Sequence, residues 1–285
     1  MATRPPTLTA AVAPVLVGSG VAIADSVFDL GPAAAALCGA IFLQVGANFA
    51  NDVFDFRKGA DTSERLGPPR ATQQGLLTQR EMFAGMGLAF AAAFILGIYL
   101  VAIAGWPIVA VGLSSIIAAI IYTGGPWPVG YHALGDVFTF VFFGVVAVTG
   151  TYYVQAETLS GLAWAASIPL GCTVTAILVV NNLRDIDTDR AADKTTLAVV
   201  IGRVATRVWY AALIALAFAV AISTWAFGPA GPWVLLVLLS LPAARPPIRA
   251  IIQDVRGRPL NQFLGMTARF HLLFGFTFAI GLSLS

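Results

Sequence analysis

Two short polar stretches interrupt an otherwise apolar chain. Each holds one asparagine and two aspartates at helical spacing: Asn48, Asp52 and Asp55 in the first, and Asn182, Asp185 and Asp189 in the second. At such spacings the side chains of each trio lie along one side of a helix. Carboxylates suit Mg²⁺, which completes its coordination shell with water and substrate phosphates, and the flanking Arg and Lys residues can bind phosphate oxygens. The residue types therefore predict a diphosphate site.

The rest of the chain predicts the scaffold that carries this site. Of the 285 residues, 58% are hydrophobic and 11% charged, whereas soluble domains carry about 25% charged residues. We expect an all-α integral membrane bundle forming a single polytopic domain over residues 1–285, because the apolar runs approach the roughly 20 residues of a spanning helix and lack strand alternation. The nine predicted spans are 7–24, 32–51, 82–104, 107–122, 136–154, 161–182, 205–227, 231–252 and 267–284.

The placement of charge predicts the orientation. With the N-terminus cytoplasmic, every Lys and Arg lies on the cytoplasmic side, while the opposite connections carry only Asp25, Asp29 and Glu157. This distribution obeys the positive-inside rule and favours an odd number of helices. We expect a multi-pass protein of the cell (inner) membrane, with both polar stretches cytoplasmic and no nucleic-acid partner.

The two polar stretches also resemble each other in position. They follow the second and the sixth predicted helix, four helices apart, and so emerge on the same face. This pattern predicts two pseudo-repeated four-helix units around a central cavity, with their polar ends facing it.

Four motifs carry a resemblance to a known family. "NDVFD", "GPPR", "YTGGPWPVGYHALGD" and "NNLRDIDTDRAADKTTL" resemble the signatures of the UbiA-type intramembrane prenyltransferases. Within that superfamily the chain is most similar to the branch that prenylates 1,4-dihydroxy-2-naphthoate in menaquinone synthesis. The resemblance implies a helical bundle whose central cavity opens to lipid, and in which Mg²⁺ holds an allylic polyprenyl diphosphate between two Asp-rich motifs.

The resemblance also implies roles for individual residues. The expected metal ligands are Asp52, Asp55, Asp61, Asp185 and Asp189. The expected substrate-binding residues are Asn48, Asn51, Lys58, Arg65, Arg70, Tyr131, Asn181, Asn182 and Lys194. Two positions depart from the general pattern: Gly59 stands where the third Asp of the first motif is usual, so that Asp61 is the next carboxylate, and Pro126 replaces a diphosphate-binding Lys four residues after Tyr122. The nearby Lys and Arg residues would supply that lost charge.

The implied reaction joins a polyprenyl group to the naphthoate ring with loss of CO₂. Mg²⁺, Arg70 and Lys194 would neutralise the departing diphosphate. The allylic cation left behind needs a dry cavity and aromatic faces. The candidates for these faces are Tyr122, which we also expect to be catalytic, Tyr131, Phe138 and Phe142.

Other functions stay open at this point. A superfamily member with another aromatic acceptor is one, and a secondary transporter is another, although transporter carboxylates usually lie near the bilayer midplane. A CDP-alcohol phosphotransferase would carry a D-G-x-x-A-R signature, which the sequence lacks. We expect structural roles for His132 and His271, and helix capping or site membership for Asp136.

Overall fold

The computed structural model describes residues 2–59 and 65–285, and in these ranges the chain is helical, without a β-strand. Nine long helices follow one another: α1 (Thr9–Ala24), α2 (Leu30–Arg57), α3 (Gln79–Ala104), α4 (Pro107–Ile121), α5 (Gly135–Ala156), α6 (Gly161–Ala191), α7 (Leu197–Ala226), α8 (Pro232–Ile252) and α9 (Leu260–Ser283). Short 3₁₀ turns, Pro5–Leu8 and Val129–Tyr131, precede α1 and α5.

Seven of the nine helices in the described ranges are long and apolar enough to cross a membrane, and the two shorter apolar helices are α1 and α4. Large apolar side chains such as Leu88 and Val204 face outward from the bundle, each 73% exposed. Outward apolar faces suit a lipid environment. The chain is a multi-pass membrane protein, as the sequence predicted.

Polar side chains mark where several helices begin. The Asp29 carboxylate accepts a hydrogen bond from the Gly31 backbone N–H, and Thr78 and Glu81 form a reciprocal capping box at the start of α3. Ser160 and Thr196 likewise accept hydrogen bonds from backbone N–H groups at the starts of α6 and α7. These caps satisfy amide groups that have no partner within their own helix.

The predicted spans 32–51 and 161–182 end too early. Both helices continue without a break, α2 to Arg57 and α6 to Ala191. The error has a physical reason: polar residues end an apolar run but do not end a helix when neighbouring elements bind them. Consequently both polar trios lie on helices, as their spacing predicted.

The contact between α5 and α6 depends on two glycines. A Cβ added at Gly144 would lie 2.4 Å from the Cα of Gly171, closer than atoms can approach. Around Gly144 the helix widens into a π-helical segment, Phe140–Val146. Such backbone proximity, which only small residues permit, is a common way to pack helices in lipid. α6 is also the most buried of the spanning helices.

Candidate functional site

A cavity of about 580 Å³ opens between helices α1 to α6. Apolar side chains line most of it, among them Leu96, Phe138 and Phe142. Polar side chains gather where α2 and α6 end, and the predicted site residues among them are Asn48, Asn51, Asp55, Arg65, Arg70, Tyr122, Asn181, Asn182, Asp185, Asp189 and Lys194. The two polar stretches of the sequence therefore meet at one cavity.

Asp55 is the carboxylate that α2 presents to this cavity. It is buried, and its two oxygens accept hydrogen bonds from Tyr131 Oη at 2.8 Å and Arg70 Nη2 at 2.7 Å. Arg70 is itself buried, so the ion pair is shielded from water. A shielded pair of this kind holds both groups in place, because separating them would leave a buried charge uncompensated.

Asp52 occupies a different position from the one expected. It does not line the cavity, and its oxygens accept hydrogen bonds from the backbone N–H groups of Ala71 at 3.1 Å and Thr72 at 3.2 Å. The two aspartates lie three positions apart on α2, with side chains about 60° apart around the helix axis, and the connection after α2 folds back over the Asp52 side. The structure thus shows Asp52 holding this connection.

The second motif places Asp185 and Asp189 on the cavity side of α6. Arg184 forms a two-point contact with the Asp185 carboxylate, with Nε donating to Oδ1 at 2.7 Å and Nη2 reaching Oδ2. Lys194 Nζ lies 3.4 Å from Asp189 Oδ1. Asp189 Oδ2 is buried and finds no hydrogen-bond partner in the described part of the chain. This oxygen is available to a ligand.

Tyr131 does not line the cavity, but it contacts residues of both motifs. Its hydroxyl donates to Asp55, while its ring lies 4.9 Å from Lys58 Nζ and 5.4 Å from Lys194 Nζ, measured to the ring centroid. Burial lowers the pKa of Lys58. Burial acts in the same direction on Lys194, but the carboxylates, led by Asp189, outweigh it and raise that pKa. Lys194 therefore stays charged beside the cavity.

The polar residues around the motifs are held by their own contacts. Thr123 Oγ1 donates to Asn51 Oδ1 at 2.9 Å, and Asn48 Nδ2 donates to Thr3 O and Thr7 Oγ1, both at 2.9 Å. Asn48 thereby fixes the N-terminal segment against α2.

Tyr122 lines the cavity beside the carboxylates. Burial raises its pKa, and the nearby negative charges, first Asp136 and then Asp55 and Asp189, raise it further. The phenol consequently stays neutral at any physiological pH.

Three of the predicted site residues lie outside the cavity lining, and one lies outside the described residues. Asp52, Lys58 and Tyr131 do not line the cavity. Lys58 Nζ donates instead to Gly125 O at 3.3 Å, because it emerges just beyond the end of α2. Asp61 lies outside the described residues, so its metal role stays a prediction.

The predicted structural residues have protein partners. His132 stacks on Trp127 with ring centroids 4.1 Å apart, and His271 Nδ1 lies 2.8 Å from Thr173 Oγ1. Asp136, in the first turn of α5, accepts a hydrogen bond from Trp209 Nε1 at 2.9 Å and does not line the cavity.

The carboxylates suit a magnesium ion by their chemistry. Oxygen donors are the ligands Mg²⁺ prefers, and Asp55, Asp185 and Asp189 all face the cavity. Asp189 Oδ2 lacks a partner in the described ranges. The described ranges contain no group of three His, Cys, Asp or Glu side chains that could hold a metal. Arg70, Arg184 and Lys194 pair with Asp55, Asp185 and Asp189 there. Asn51 and Asn182 add amide oxygens to the donor set.

Sequence reasoning missed Arg184, which it treated only as a cytoplasmic charge. The residue is 2% exposed, and its side chain contacts both Asn181 and Asp185. Its position three residues after Asn181 was an available signal, since side chains at this spacing are neighbours on a helix.

Comparison with known proteins identifies the family. The UbiA prenyltransferase family matches residues 11–274. The chain belongs to this family. It is 36% identical over 288 residues to 1,4-dihydroxy-2-naphthoate octaprenyltransferase of Escherichia coli (strain K12), covering 99% of this chain and 94% of that protein. The protein of the same name from Bacillus subtilis (strain 168) is 31% identical over 285 residues, covering 99% and 91%. This UbiA-family chain is thus a prenyltransferase, as its motifs predicted.

Solved structures share the fold of this UbiA-family member. The apo structure of a UbiA homolog from Aeropyrum pernix K1 superposes with a TM-score of 0.74 at 14% identity, covering 94% of this chain and 96% of that one. A UbiA homolog from Archaeoglobus fulgidus bound to DMAPP and Mg²⁺ superposes with a TM-score of 0.65 at 14% identity, covering 98% and 97%. The predicted all-helical membrane fold is confirmed.

Proposed function

We propose that this protein transfers a polyprenyl group from an allylic polyprenyl diphosphate to 1,4-dihydroxy-2-naphthoate, with Mg²⁺ as cofactor and loss of CO₂. The product would be of the demethylmenaquinone type, in its reduced hydroquinone form. The observation that carries the proposal is the cavity, whose polar end joins two carboxylate motifs with Arg70 and Lys194 while the remainder is apolar. The names of relatives over 30% identical along nearly the whole chain support the choice of acceptor.

The polar end suits the diphosphate. Asp55, Asp185 and Asp189, with the amide oxygens of Asn51 and Asn182, would hold Mg²⁺, an ion that the Archaeoglobus fulgidus homolog binds together with DMAPP. When bound, the metal would supply positive charge that stabilises the leaving diphosphate. Asp52 would contribute by fixing the connection that carries Arg70.

The cations beside the carboxylates have a second role in this proposal. Arg70 pairs with Asp55 and Lys194 with Asp189, so each carboxylate is neutralised before substrate enters. Phosphate oxygens compete for the same N–H donors, and Arg binds them in a two-point fashion. Binding of the diphosphate would therefore turn Arg70 and Lys194 from the carboxylates toward the leaving group. The raised pKa of Lys194 keeps it charged for this role.

The apolar part suits the prenyl chain and the carbocation. When the carbon–oxygen bond to the diphosphate breaks, both bonding electrons leave with the phosphate, and an allylic cation remains. Tyr122, Phe138 and Phe142 line the cavity, where their rings would stabilise the cation. The naphthoate ring then attacks through the carbon that bears the carboxylate. Loss of CO₂ returns the electron pair of that carbon–carbon bond to the ring, so that the charges balance.

The distribution of cations supports a membrane orientation for this reaction. By the positive-inside rule, the N-terminus and the polar end of the cavity would lie on the cytoplasmic side of the cell membrane. A water-soluble naphthoate would then enter from the cytoplasm, and the polyprenyl diphosphate from the lipid.

The test uses purified protein in detergent with Mg²⁺, 1,4-dihydroxy-2-naphthoate and allylic diphosphates of increasing length. Mass spectrometry should find a product equal to naphthoate plus prenyl group minus CO₂, and the release of diphosphate in equal amount. A product that keeps its carboxyl group would refute the decarboxylation. Faster transfer to 4-hydroxybenzoate or homogentisate than to the naphthoate would refute the acceptor.

A further inference from the structure

Asn261, in the first turn of α9, joins three parts of the chain through its side-chain amide. Its Oδ1 accepts a hydrogen bond from Arg184 Nη1 at 2.7 Å, and its Nδ2 donates to Leu66 O at 2.8 Å. An Arg side chain can only donate and a backbone carbonyl can only accept. A side chain that bridges the guanidinium and the carbonyl must therefore offer both an acceptor and a donor. The amide of Asn261 offers both, through Oδ1 and Nδ2.

Arg184 carries this contact to the second carboxylate motif. The guanidinium donates to the Asp185 carboxylate through Nε and Nη2, and Nη2 also donates to Asn181 Oδ1 at 2.8 Å. Asp185 and Asn181 both line the cavity. Asn261 itself does not line it, so any influence of Asn261 on a ligand there passes through other residues.

The connection 65–78 rests directly on the same guanidinium. A Cβ at Gly67 would lie 2.9 Å from Arg184 Nη2 and 3.1 Å from Cζ. The Arg184 guanidinium is held in this position by four hydrogen bonds, to Asp185, Asn181 and Asn261. Only glycine allows the backbone this close, so the contact with Leu66 and Gly67 is specific to this arrangement.

The other part of the same connection is fastened to the first motif. Arg70 pairs with Asp55, and the backbone N–H groups of Ala71 and Thr72 donate to Asp52. A single connection thus spans both carboxylate motifs, bound to α2 at one point and, through Asn261 and Arg184, to α6 and α9 at another. Along this connection lie Arg65 and Arg70, which line the cavity.

We propose that Asn261 is a positioning residue, which fastens the connection 65–78 to the second carboxylate motif and so sets the place of Arg65 and Arg70 at the diphosphate. The proposal rests on the diphosphate site of the proposed function and extends it to a residue on α9. Substitution of Asn261 should therefore weaken binding of the diphosphate and leave binding of the aromatic acceptor unchanged.

The test compares two substitutions in the same helical turn. Asn261→Leu keeps the size of the side chain and removes both hydrogen bonds. Gln262→Leu serves as the control, because Gln262 is an exposed neighbour whose side chain makes no hydrogen bond within the described ranges. Calorimetry measures the Mg²⁺-dependent binding of geranyl diphosphate, and steady-state assays measure KM for each substrate. For Asn261→Leu we expect the Kd and KM of the diphosphate to rise about tenfold, which corresponds to the loss of one to two net hydrogen bonds. The KM of the acceptor should change less than about twofold.

Two further variants test the separate hydrogen bonds that Asn261 makes to Arg184 and to Leu66. Asn261→Asp keeps the acceptor for Arg184 but has no donor for Leu66, so it should weaken diphosphate binding and speed proteolysis within residues 65–78. Gly67→Ala acts on the same contact from the other side. If both residues work through it, the effects of Gly67→Ala and Asn261→Leu on diphosphate affinity should be less than additive in the double variant.

The outcomes distinguish this inference from the proposed function. If wild-type protein binds geranyl diphosphate but Asn261→Leu changes its affinity less than about twofold, the positioning role is refuted and the proposed function stands. Equal rises in both KM values would indicate a general structural role and refute the inference as well. If the wild type shows no Mg²⁺-dependent binding, the proposed function and this inference both fail. Should Asn261→Leu not fold, Asn261→Asp decides by the same criterion.

Discussion

Asp52 and Asp55 are three residues apart, yet the structure gives them different tasks, and substitution by asparagine should separate these. Asp52 is 1% exposed and accepts two backbone hydrogen bonds, from Ala71 and Thr72. Asparagine offers one oxygen where the carboxylate offered two, so Asp52→Asn leaves one buried N–H without a partner. That lowers the free energy of unfolding by about 1–3 kcal/mol.

Asp55→Asn should act on the metal site. The amide can still accept from Tyr131 Oη, but the charge that faces Arg70 and the cavity is lost. We expect the Mg²⁺ concentration for half-maximal activity to rise about 100-fold, equivalent to roughly 2.7 kcal/mol. The free energy of unfolding should also fall, by about 3–5 kcal/mol, because Arg70 stays buried without the carboxylate that pairs with it. For Asp52→Asn the same concentration should change less than about threefold, since its carboxylate does not line the cavity.

The assay is a Mg²⁺ titration of prenyl transfer for wild type and both variants, together with thermal unfolding in detergent. Asp29→Asn, a change at an exposed helix cap on another connection, serves as the matched control. The reasoning would be refuted if Asp52→Asn raised the Mg²⁺ requirement as much as Asp55→Asn, because Asp52 would then be a ligand despite its contacts in the structure.

Three other predictions follow from the packing and charges of the site. Gly144→Ala should lower the free energy of unfolding by about 1–3 kcal/mol, since its Cβ would lie 2.4 Å from Gly171 Cα; thermal unfolding against Gly161→Ala, a position with open space, checks this. Lys194→Gln should raise the diphosphate KM about tenfold. Because the raised pKa keeps Lys194 charged, the diphosphate KM of the wild type should not rise between pH 7 and pH 9. A KM that rises across this range would contradict the assignment of a positive charge to Lys194. Gly97→Phe places a ring in the apolar part of the cavity, where a Cβ meets no atom within 4 Å. It should slow transfer from long polyprenyl diphosphates about tenfold, by blocking the path of the chain, while geranyl transfer continues; equal slowing for both lengths would contradict that path.

The sequence predicted the helical bundle because apolar run length is a strong signal, and every predicted span overlaps an observed helix. It also predicted that the two polar trios meet at one cavity. It placed the ends of α2 and α6 too early. Hydropathy shows where the side chains change from apolar to polar, and a helix can continue beyond that point. The true ends depend on partners such as Ala71 and Thr72, which lie far along the chain from Asp52.

The limits of sequence reasoning were clearest for residues that act through contacts between distant segments. Asp52 and Asp55 are equivalent carboxylates in the sequence, and only the fold of the connection after α2 decides which of them faces the cavity. Asn261 lies 77 residues from Arg184 and 195 from Leu66, and nothing in its local sequence indicates a link between the two. The four-helix repeat and the metal role of each carboxylate stay predictions.

The shortness of α1 and α4 has a consequence for the surrounding bilayer. The two helices have 16 and 15 residues, and at 1.5 Å per residue the shorter spans about 22 Å, less than the roughly 30 Å of hydrocarbon in a typical bilayer. Both contribute to the wall of the cavity. Thinning of the bilayer at this wall would compensate for the mismatch and bring the headgroup layer inward. An amphiphile could then slide its head into the protein at headgroup depth while its tail stays among the acyl chains, without crossing a polar barrier.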